Sequence, residues 1–190
     1  MLSVSSIADY EKKVAILEKS IVSVPNFPKE GILFRDITTL LEDPIAFRTS
    51  IELLRDMCSD EKPDYIVAAD ARGFLFGAAL SYELGLGLVL VRKKGKLPRP
   101  AYSQEYSLEY GTNTLELCKD SLKSGDKVLL IDDLLATGGT AGAMIELVNR
   151  TGAKIISFAF IIELFDLGGA KVLSDKYGVN VQSLVKFPGH

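Results

Sequence analysis

The chain is nearly devoid of histidine. The only histidine among its 190 residues is His190, at the last position, where chain ends are often disordered. A Ser-His-Asp triad, a Cys-His pair and a histidine-ligated zinc site are therefore not expected. Any chemistry should depend instead on carboxylates, cations and backbone dipoles.

Cysteine, basic charge and long apolar runs are also scarce. Cys58 and Cys118 lie far apart, which predicts buried thiols in a reducing cytoplasm and neither a disulfide framework nor a CxxC metal site. The net charge of −3 argues against a nonspecific nucleic-acid binder. No apolar run is long enough to span a bilayer, and residues 1–13 do not read as a signal peptide. We therefore expect a cytoplasmic protein without nucleic-acid or membrane partners.

The composition and the order of patterns indicate one α/β domain over residues 1–190. Apolar residues make up 47% and charged residues 25%, which is ordinary for a globular protein of this length. Helical patterns cover about 7–22, 44–58, 73–84, the stretch up to 151, and 168–177. Strand patterns cover 65–69, 88–91, 112–117, 127–131, 154–164 and 181–187, and residues 92–106 read as a long exposed loop. Strands alternating with helices predict a mostly parallel sheet with ligands at the carboxyl ends of its strands.

The most informative segment runs from Val128 to Thr140. A buried strand pattern ends in Asp132 and Asp133, which are followed by Thr137-Gly138-Gly139-Thr140 and a helical pattern. Free N–H groups at a helix start, with glycines that permit close approach, form a phosphate site, and two acids can bind sugar hydroxyls. A simple helix cap would need only one such residue. There is no Walker lysine and no GxGxxG, so the pattern favours a ribose 5-phosphate site.

A second turn and a basic run could bind further phosphate. In Asp70-Ala71-Arg72-Gly73 a guanidinium stands at a strand-to-helix turn, where it suits pyrophosphate oxygens, although it could be a surface charge. Residues 92–99 then place five cations in eight positions. Such a run is usually a solvated surface, but beside two phosphate elements Lys93 and Lys96 become candidate pyrophosphate ligands.

The Asp-Asp and Thr-Gly-Gly-Thr stretch resembles the 5-phosphoribosyl-1-pyrophosphate (PRPP) motif of the type I phosphoribosyltransferases. The resemblance implies a mostly parallel central sheet flanked by helices, with a small N-terminal hood over the base site. It also implies that the backbone after Ala136 wraps the 5′-phosphate while the two acids face the ribose hydroxyls. The cofactor would be Mg²⁺ carried largely by PRPP, with no direct metal ligand from the protein.

The base-side motifs resemble the adenine-specific branch of this family. In that branch the Tyr106–Gly111 pattern carries a glutamate, here Glu109, that lies over the purine. Enzymes for 6-oxopurines instead place an aspartate inside the PRPP motif near N7 of the base. Here Ala136 occupies that position and cannot exchange a proton, so Glu109 is the remaining candidate.

The segment Gly31–Ile37 resembles the base-binding hood of the same branch. The resemblance implies that Leu33 offers backbone hydrogen bonds and that Phe34 stacks on the purine, although Phe34 could simply be core. Leu164 would close the other face of the base. Arg35 would be a neighbour of the base or of Glu109.

The implied reaction is adenine + PRPP → AMP + diphosphate, a step of purine salvage. Arg72 and Glu109 would be the catalytic residues, residues 1–37 would form the N-terminal helix and hood, and residues 93–106 would be a flexible active-site loop. The resemblance also implies a homodimer. Two alternatives stay open: a transferase for another base (a 6-oxopurine or orotate), or a noncatalytic regulator that senses PRPP. Regulators usually carry a DNA-binding domain, and the segment before Val24 is too short for one.

Overall fold

The computed structural model describes residues 4–58, 62–107 and 111–189 of the chain, without the side chains of residues 4–6 and 107. Two residues discussed above, Glu109 and His190, lie outside the described residues.

Helices and strands alternate along most of the described chain. The helices are α1 Val4–Ser20, α2 Thr38–Glu42, α3 Pro44–Cys58, α4 Gly73–Leu84, α5 Gly139–Asn149 and α6 Gly169–Tyr177. The strands are β1 Val22–Pro25, β2 Leu33–Asp36, β3 Tyr65–Ala69, β4 Gly87–Lys93, β5 Ala101–Ser107, β6 Thr112–Cys118, β7 Lys127–Leu135, β8 Lys154–Leu164 and β9 Val181–Phe187. A single 3₁₀ turn, Phe165–Leu167, follows β8. None of the helices in the described ranges is long and apolar enough to cross a membrane.

Seven of the strands form one sheet in the order β5-β6-β4-β3-β7-β8-β9. Five of them (β4, β3, β7, β8 and β9) are joined to one another by parallel pairing. At the other end of the sheet, β6 pairs antiparallel with β4 and with β5. Helices cover both faces, so strand interiors are apolar on both sides. In β7, Val128 and Leu130 pack on the α5 and α6 side, whereas Leu129 and Ile131 pack against α1, α3 and α4. The predicted mostly parallel α/β fold is confirmed.

The region predicted as a loop at 92–106 is mostly strand. β4 continues to Lys93, a short irregular segment covers 94–100, and β5 then pairs with β6 along its whole length. Tyr102 and Tyr106, four residues apart and therefore on the same face of β5, pack against the main core. The expectation of a long exposed loop was wrong because burial of these tyrosines and pairing with β6 outweigh the polar composition.

The strand before the phosphate motif is longer than expected. We predicted an end at Ile131, but β7 continues to Leu135 and pairs with β8 through Leu135↔Glu163. Asp132 and Asp133 are therefore fixed within a sheet and not in a loop.

The N-terminal region forms a separate small ribbon, which we call the hood. Strands β1 and β2 pair antiparallel, from Val22↔Asp36 to Pro25↔Leu33, and do not join the seven-stranded sheet. Leu17 of helix α1 and Ile21, directly after the helix, belong to the core that lies under α3 and α4. The hood is thus attached to the domain through side chains and chain connections.

Candidate active site

The cleft lies at the carboxyl edge of the parallel strands. Strand β3 ends at Ala69, and Asp70 follows it directly. Strand β3 pairs with β7 in a register that sets Ala68 opposite Ile131, and Asp132 follows Ile131. Equivalent ends of parallel strands meet at one edge, which brings these two separated motifs together. The resulting cleft has a volume of about 770 Å³. Its walls include the predicted residues Asp70, Ala71, Arg72, Lys93, Asp132, Asp133, Ala136, Thr137, Gly138, Gly139 and Thr140.

The two adjacent carboxylates form the charged centre of this cleft. Both are buried; the backbone N–H of Asp133 donates to Oδ1 of Asp132 at 2.9 Å, and Nε of Arg72 lies 2.7 Å from Oδ2 of Asp133. Burial raises the pKa of both carboxyls, and the charge of Asp133 raises that of Asp132 further. The Arg72 guanidinium opposes the rise in the pKa of Asp133. This excess of buried negative charge suits a ligand with hydroxyl donors or positive charge.

A glycine makes room for the first carboxylate. Helix α4 begins at Gly73, and a Cβ at this position would lie 2.8 Å from Oδ1 and 3.1 Å from Cα of Asp132. Only a residue without a side chain lets the helix start this close to β7. Gly73 of the Asp-Ala-Arg-Gly turn therefore also leaves space for the carboxylate of Asp132.

The predicted phosphate loop has the geometry of an anion site. Residues 136–138 bend away from β7, Gly138 adopts φ +90°, and α5 begins at Gly139. The first-turn N–H groups of a helix lack intrahelical acceptors and favour an anion.

One residue that supports this loop was missed by the sequence reasoning. A Cβ on Gly169, the first residue of α6, would lie 2.2 Å from the carbonyl oxygen of Ala136. The Gly168-Gly169 pair before a helical pattern was the available signal for such a close approach.

The turn after β3 and the start of the basic run face each other. The Asp70–Ala71 peptide is cis, and Nε of Arg92 lies 3.1 Å from Oδ2 of Asp70. Lys93 lines the cleft, whereas Lys96 is exposed and lies outside the cleft walls. Of the two candidate pyrophosphate lysines, the structure therefore brings only Lys93 to the site. Arg92, which the sequence reasoning left unassigned, orients Asp70.

The hood lies beside the cleft, in contact with Arg72. The Phe34 ring is 5.9 Å from the guanidinium carbon of Arg72 and packs edge-on against Phe27 at 5.1 Å between ring centroids. Leu33 and Leu164 are half-buried, and neither forms part of the cleft wall. Phe34 is thus linked to the acid pair through Arg72.

Arg35 turns away from Phe34, as neighbouring residues on a strand must. Its guanidinium is buried, donates to Oγ of Ser23 and to the carbonyl oxygen of Pro188 at 2.9 Å, and lies 4.7 Å from the Phe187 ring centroid. Burial lowers the pKa of Arg35, and the charge of Asp166 opposes this shift. The side chain of Arg35 therefore binds the C-terminal tail, a segment for which the sequence reasoning had no role.

The two strands that flank Glu109 in sequence both reach the cleft. Tyr106 of β5 and Asn113 of β6 pair with each other and line its wall, while residues 108–110 between them are not described. Neither Tyr106 nor Asn113 was predicted as a wall residue, because residues 92–106 were expected to form a loop and not a strand paired with β6.

Comparison with known proteins identifies relatives over nearly the whole chain. A family model described as phosphoribosyl transferase domain matches residues 36–189. The adenine phosphoribosyltransferase of Pectobacterium carotovorum is 52% identical over 180 residues, which cover 95% of this chain and 97% of the relative.

Solved structures extend the match to three dimensions. The crystal structure of adenine phosphoribosyltransferase from Thermoanaerobacter pseudethanolicus superposes with a TM-score of 0.87 at 48% identity, covering 92% of this chain and 99% of that one. The Saccharomyces cerevisiae enzyme, complexed with an imino-altritol bisphosphate and adenine, gives a TM-score of 0.85 at 37% identity over 92% and 99% of the two chains. The chain therefore belongs to the phosphoribosyl transferase family, and within it to the adenine phosphoribosyltransferases.

Proposed function

We propose that this protein transfers a 5-phosphoribosyl group from PRPP to adenine, forming AMP and diphosphate. One observation carries the proposal: the buried acid pair, the phosphate loop and the Asp70–Gly73 turn share one cleft, beside which the hood places Phe34. The yeast relative has been solved with adenine bound, and the relatives named above share the adenine phosphoribosyltransferase name. Production of AMP from a free base would make this an enzyme of purine salvage.

The sugar end of PRPP would lie between Asp132, Asp133 and the loop 137–140. The main-chain N–H groups at the start of α5 would hold the 5′-phosphate, and the carboxylates would accept hydrogen bonds from the ribose hydroxyls. As the bond to the leaving group lengthens, positive charge develops on the ribose ring. The two buried carboxylates would stabilise that charge, and electrostatic stabilisation of this kind is usually the largest single contribution to catalysis.

The diphosphate would lie against the Asp70–Gly73 turn, with Arg72 and Lys93 supplying positive charge. Lys96 remains a weaker candidate, because it could act only if the segment 94–100 moves toward the cleft. Such a movement would also help to exclude water from the reacting ribose.

The cleft fits Mg²⁺ brought in by the substrate. Within the described ranges, no cluster of three or more acidic, histidine or cysteine side chains could hold a metal alone. Mg²⁺ prefers oxygen ligands and is commonly bound by one or two carboxylates together with substrate phosphates and waters, and the carboxylates of Asp132 and Asp133 offer such oxygens. When bound, the ion would neutralise the negative charge of the diphosphate.

Adenine would occupy the space between Phe34 and Leu164, with backbone groups of Leu33 and Arg35 at its edge. Glu109 would take up the proton that must move near N7 as the base is attached, since Ala136 has no group that could do so. This role rests on the sequence motif, and Glu109 lies outside the described residues.

We also propose a cytoplasmic homodimer. Both cysteines are buried thiols, which suits a reducing compartment. Leu75 and Tyr82, seven residues apart on α4, are exposed apolar side chains on the same face of the helix and could pack against a second copy. Light scattering on the purified protein would test the dimer.

The decisive experiment is conversion of labelled adenine in the presence of PRPP and Mg²⁺. We expect labelled AMP and diphosphate in equal amounts, and loss of turnover when EDTA removes the metal. Unlabelled hypoxanthine, guanine and orotate would be added as competitors. Preference for one of them would identify a transferase for another base, and PRPP binding without turnover would identify a regulator.

A further inference from the structure

We propose that the C-terminal tail (residues 187–189) and Arg35 together form a latch that holds the hood at the distance from Leu164 that adenine needs. Arg35 is in this view a positioning residue that acts through Leu33 and Phe34. The inference rests on the proposed adenine site and adds to it a segment that lies outside all the substrate motifs.

The hood needs such a support because it lacks backbone pairing with the main sheet. It consists of two four-residue strands whose backbone ladder joins them only to each other within the described residues. An isolated two-stranded ribbon is marginally stable in water. Its position beside the cleft is therefore set by chain connections and side-chain contacts, and Arg35 is the most buried of the residues on its two strands.

Arg35 connects the two strands of the hood to the tail in a single cluster. One end of its guanidinium binds Ser23, its partner on β1, and the other binds the carbonyl oxygen of Pro188. Its flat face covers the ring of Phe187. The backbone N–H of Gly189 then donates to Oδ1 of Asp166 at 2.7 Å, which ties the tail to the turn after β8.

The first residue of the tail pairs with Leu164, the residue proposed to lie on the side of the base opposite Phe34. Phe187 ends β9 and lies opposite Leu164, the last residue of β8. Arg35 thus links the strand that carries Phe34 to the strand end beside Leu164. A shift of the tail would change the separation of the two walls, which is where a flat base would be held.

The buried guanidinium of Arg35 is better suited to positioning the hood than to stabilising the fold. Nε of Arg35 is buried and has no hydrogen-bond partner in the part of the chain that the structure describes. A buried donor left unpaired costs stability, and this cost offsets part of what the two hydrogen bonds of Arg35 contribute. The guanidinium is instead suited to bind two separate segments at a fixed spacing.

The test is a steady-state comparison of Arg35→Met and Asp166→Ala with wild type in the full-length protein. We expect the KM for adenine to rise about tenfold in Arg35→Met, as for loss of a charged hydrogen bond, and about threefold in Asp166→Ala. The KM for PRPP and kcat should stay within about twofold, because the sugar site belongs to the main sheet. The double variant should be no worse than Arg35→Met, since both changes release the same tail.

Matched controls are Arg55→Met and Asp175→Ala, which remove an exposed guanidinium and an exposed carboxylate elsewhere in the chain. Both should behave as wild type. An adenine KM within twofold of wild type in both test variants, or a parallel rise in both KM values, would overturn the latch. If Arg35→Met does not fold, Asp166→Ala decides alone. Wild-type protein that forms no AMP would instead overturn the proposed function.

Discussion

The two halves of the proposed substrate site, the cleft and the hood beside it, are built in different ways. The half proposed to bind the sugar consists of β3, β7 and the helices that follow them, and its acids Asp132 and Asp133 lie on β7, which pairs with β3 and β8 inside a covered sheet. The half proposed to bind the base consists of a two-stranded hood attached through side chains, and its Phe34 is linked to the acids through Arg72. One half is held by backbone pairing within a large sheet, and the other is held in place by side-chain contacts.

This difference has a functional consequence. Charge stabilisation at the ribose requires groups that do not reorganise during reaction, which a sheet edge provides. Base selection requires only a slot of the right width and polarity, which a small ribbon can provide and adjust. Variants in the two halves should therefore have different effects. Variants in the sugar half should change the KM for PRPP, and variants in the base half should change the KM for adenine.

The largest effect is expected from Glu109→Ala, which would remove the proton acceptor proposed for N7. We expect kcat to fall by roughly 10²–10⁴-fold, the usual contribution of general acid–base catalysis, while the KM for PRPP changes little. Glu105→Ala, an exposed glutamate four residues earlier on β5, is the control and should retain activity. Unchanged turnover in Glu109→Ala would remove that residue from the mechanism.

The next effect tests the sugar half. Replacing both Asp132 and Asp133 by Asn keeps their shape but removes the charges that we propose to face the ribose. We expect the KM for PRPP to rise about 100-fold, as for loss of two charged hydrogen bonds, with the KM for adenine near wild type. Isothermal titration with PRPP and Mg²⁺ would check binding directly, and a normal affinity would refute the ribose assignment.

A smaller effect is expected in the base half. Phe34→Ala removes the ring proposed to stack on adenine, so the KM for adenine should rise about tenfold and that for PRPP should stay within about twofold. Phe27→Ala removes the ring that supports Phe34 from its exposed side and should have a weaker effect in the same direction. Equal effects on both substrates would mean that the two halves are not separable.

The smallest effect is a gain in thermal stability, whereas the preceding predictions are all losses of activity or substrate binding. A carboxyl whose pKa is higher in the folded than in the unfolded chain binds its proton more tightly when folded, so it destabilises the fold as pH rises. Asp132→Asn should therefore raise Tm at neutral pH, by about 2–4 °C for each kcal/mol gained, while PRPP binds more weakly. The gain should shrink as pH falls and Asp132 becomes protonated. Asp175→Asn, on an exposed pair, should leave Tm unchanged; a lower Tm for Asp132→Asn at pH 7 would contradict the assignment.

Much of the sugar half was predictable because its residues are contiguous. The run from Val128 to Thr140 contains the strand, both acids, the glycines and the helix start in one stretch, so local pattern and chemistry coincide. Helix α4, strand β8 and strand β9 were also predicted with their observed bounds. The main error was the hairpin leg β5, whose partners lie on β6 and α5 and whose polar composition resembles a loop.

The sequence by itself determined the alternation of strands and helices, the phosphate loop and the absence of an acid at Ala136, because each depends on neighbouring residues. Only the tertiary structure decided that Gly73 and Gly169 make room for groups some 60 and 30 positions away, and that the side chain of Arg35 binds the tail. Such contacts join residues that are distant in the chain, and no local pattern encodes which distant surface a glycine or a guanidinium will meet.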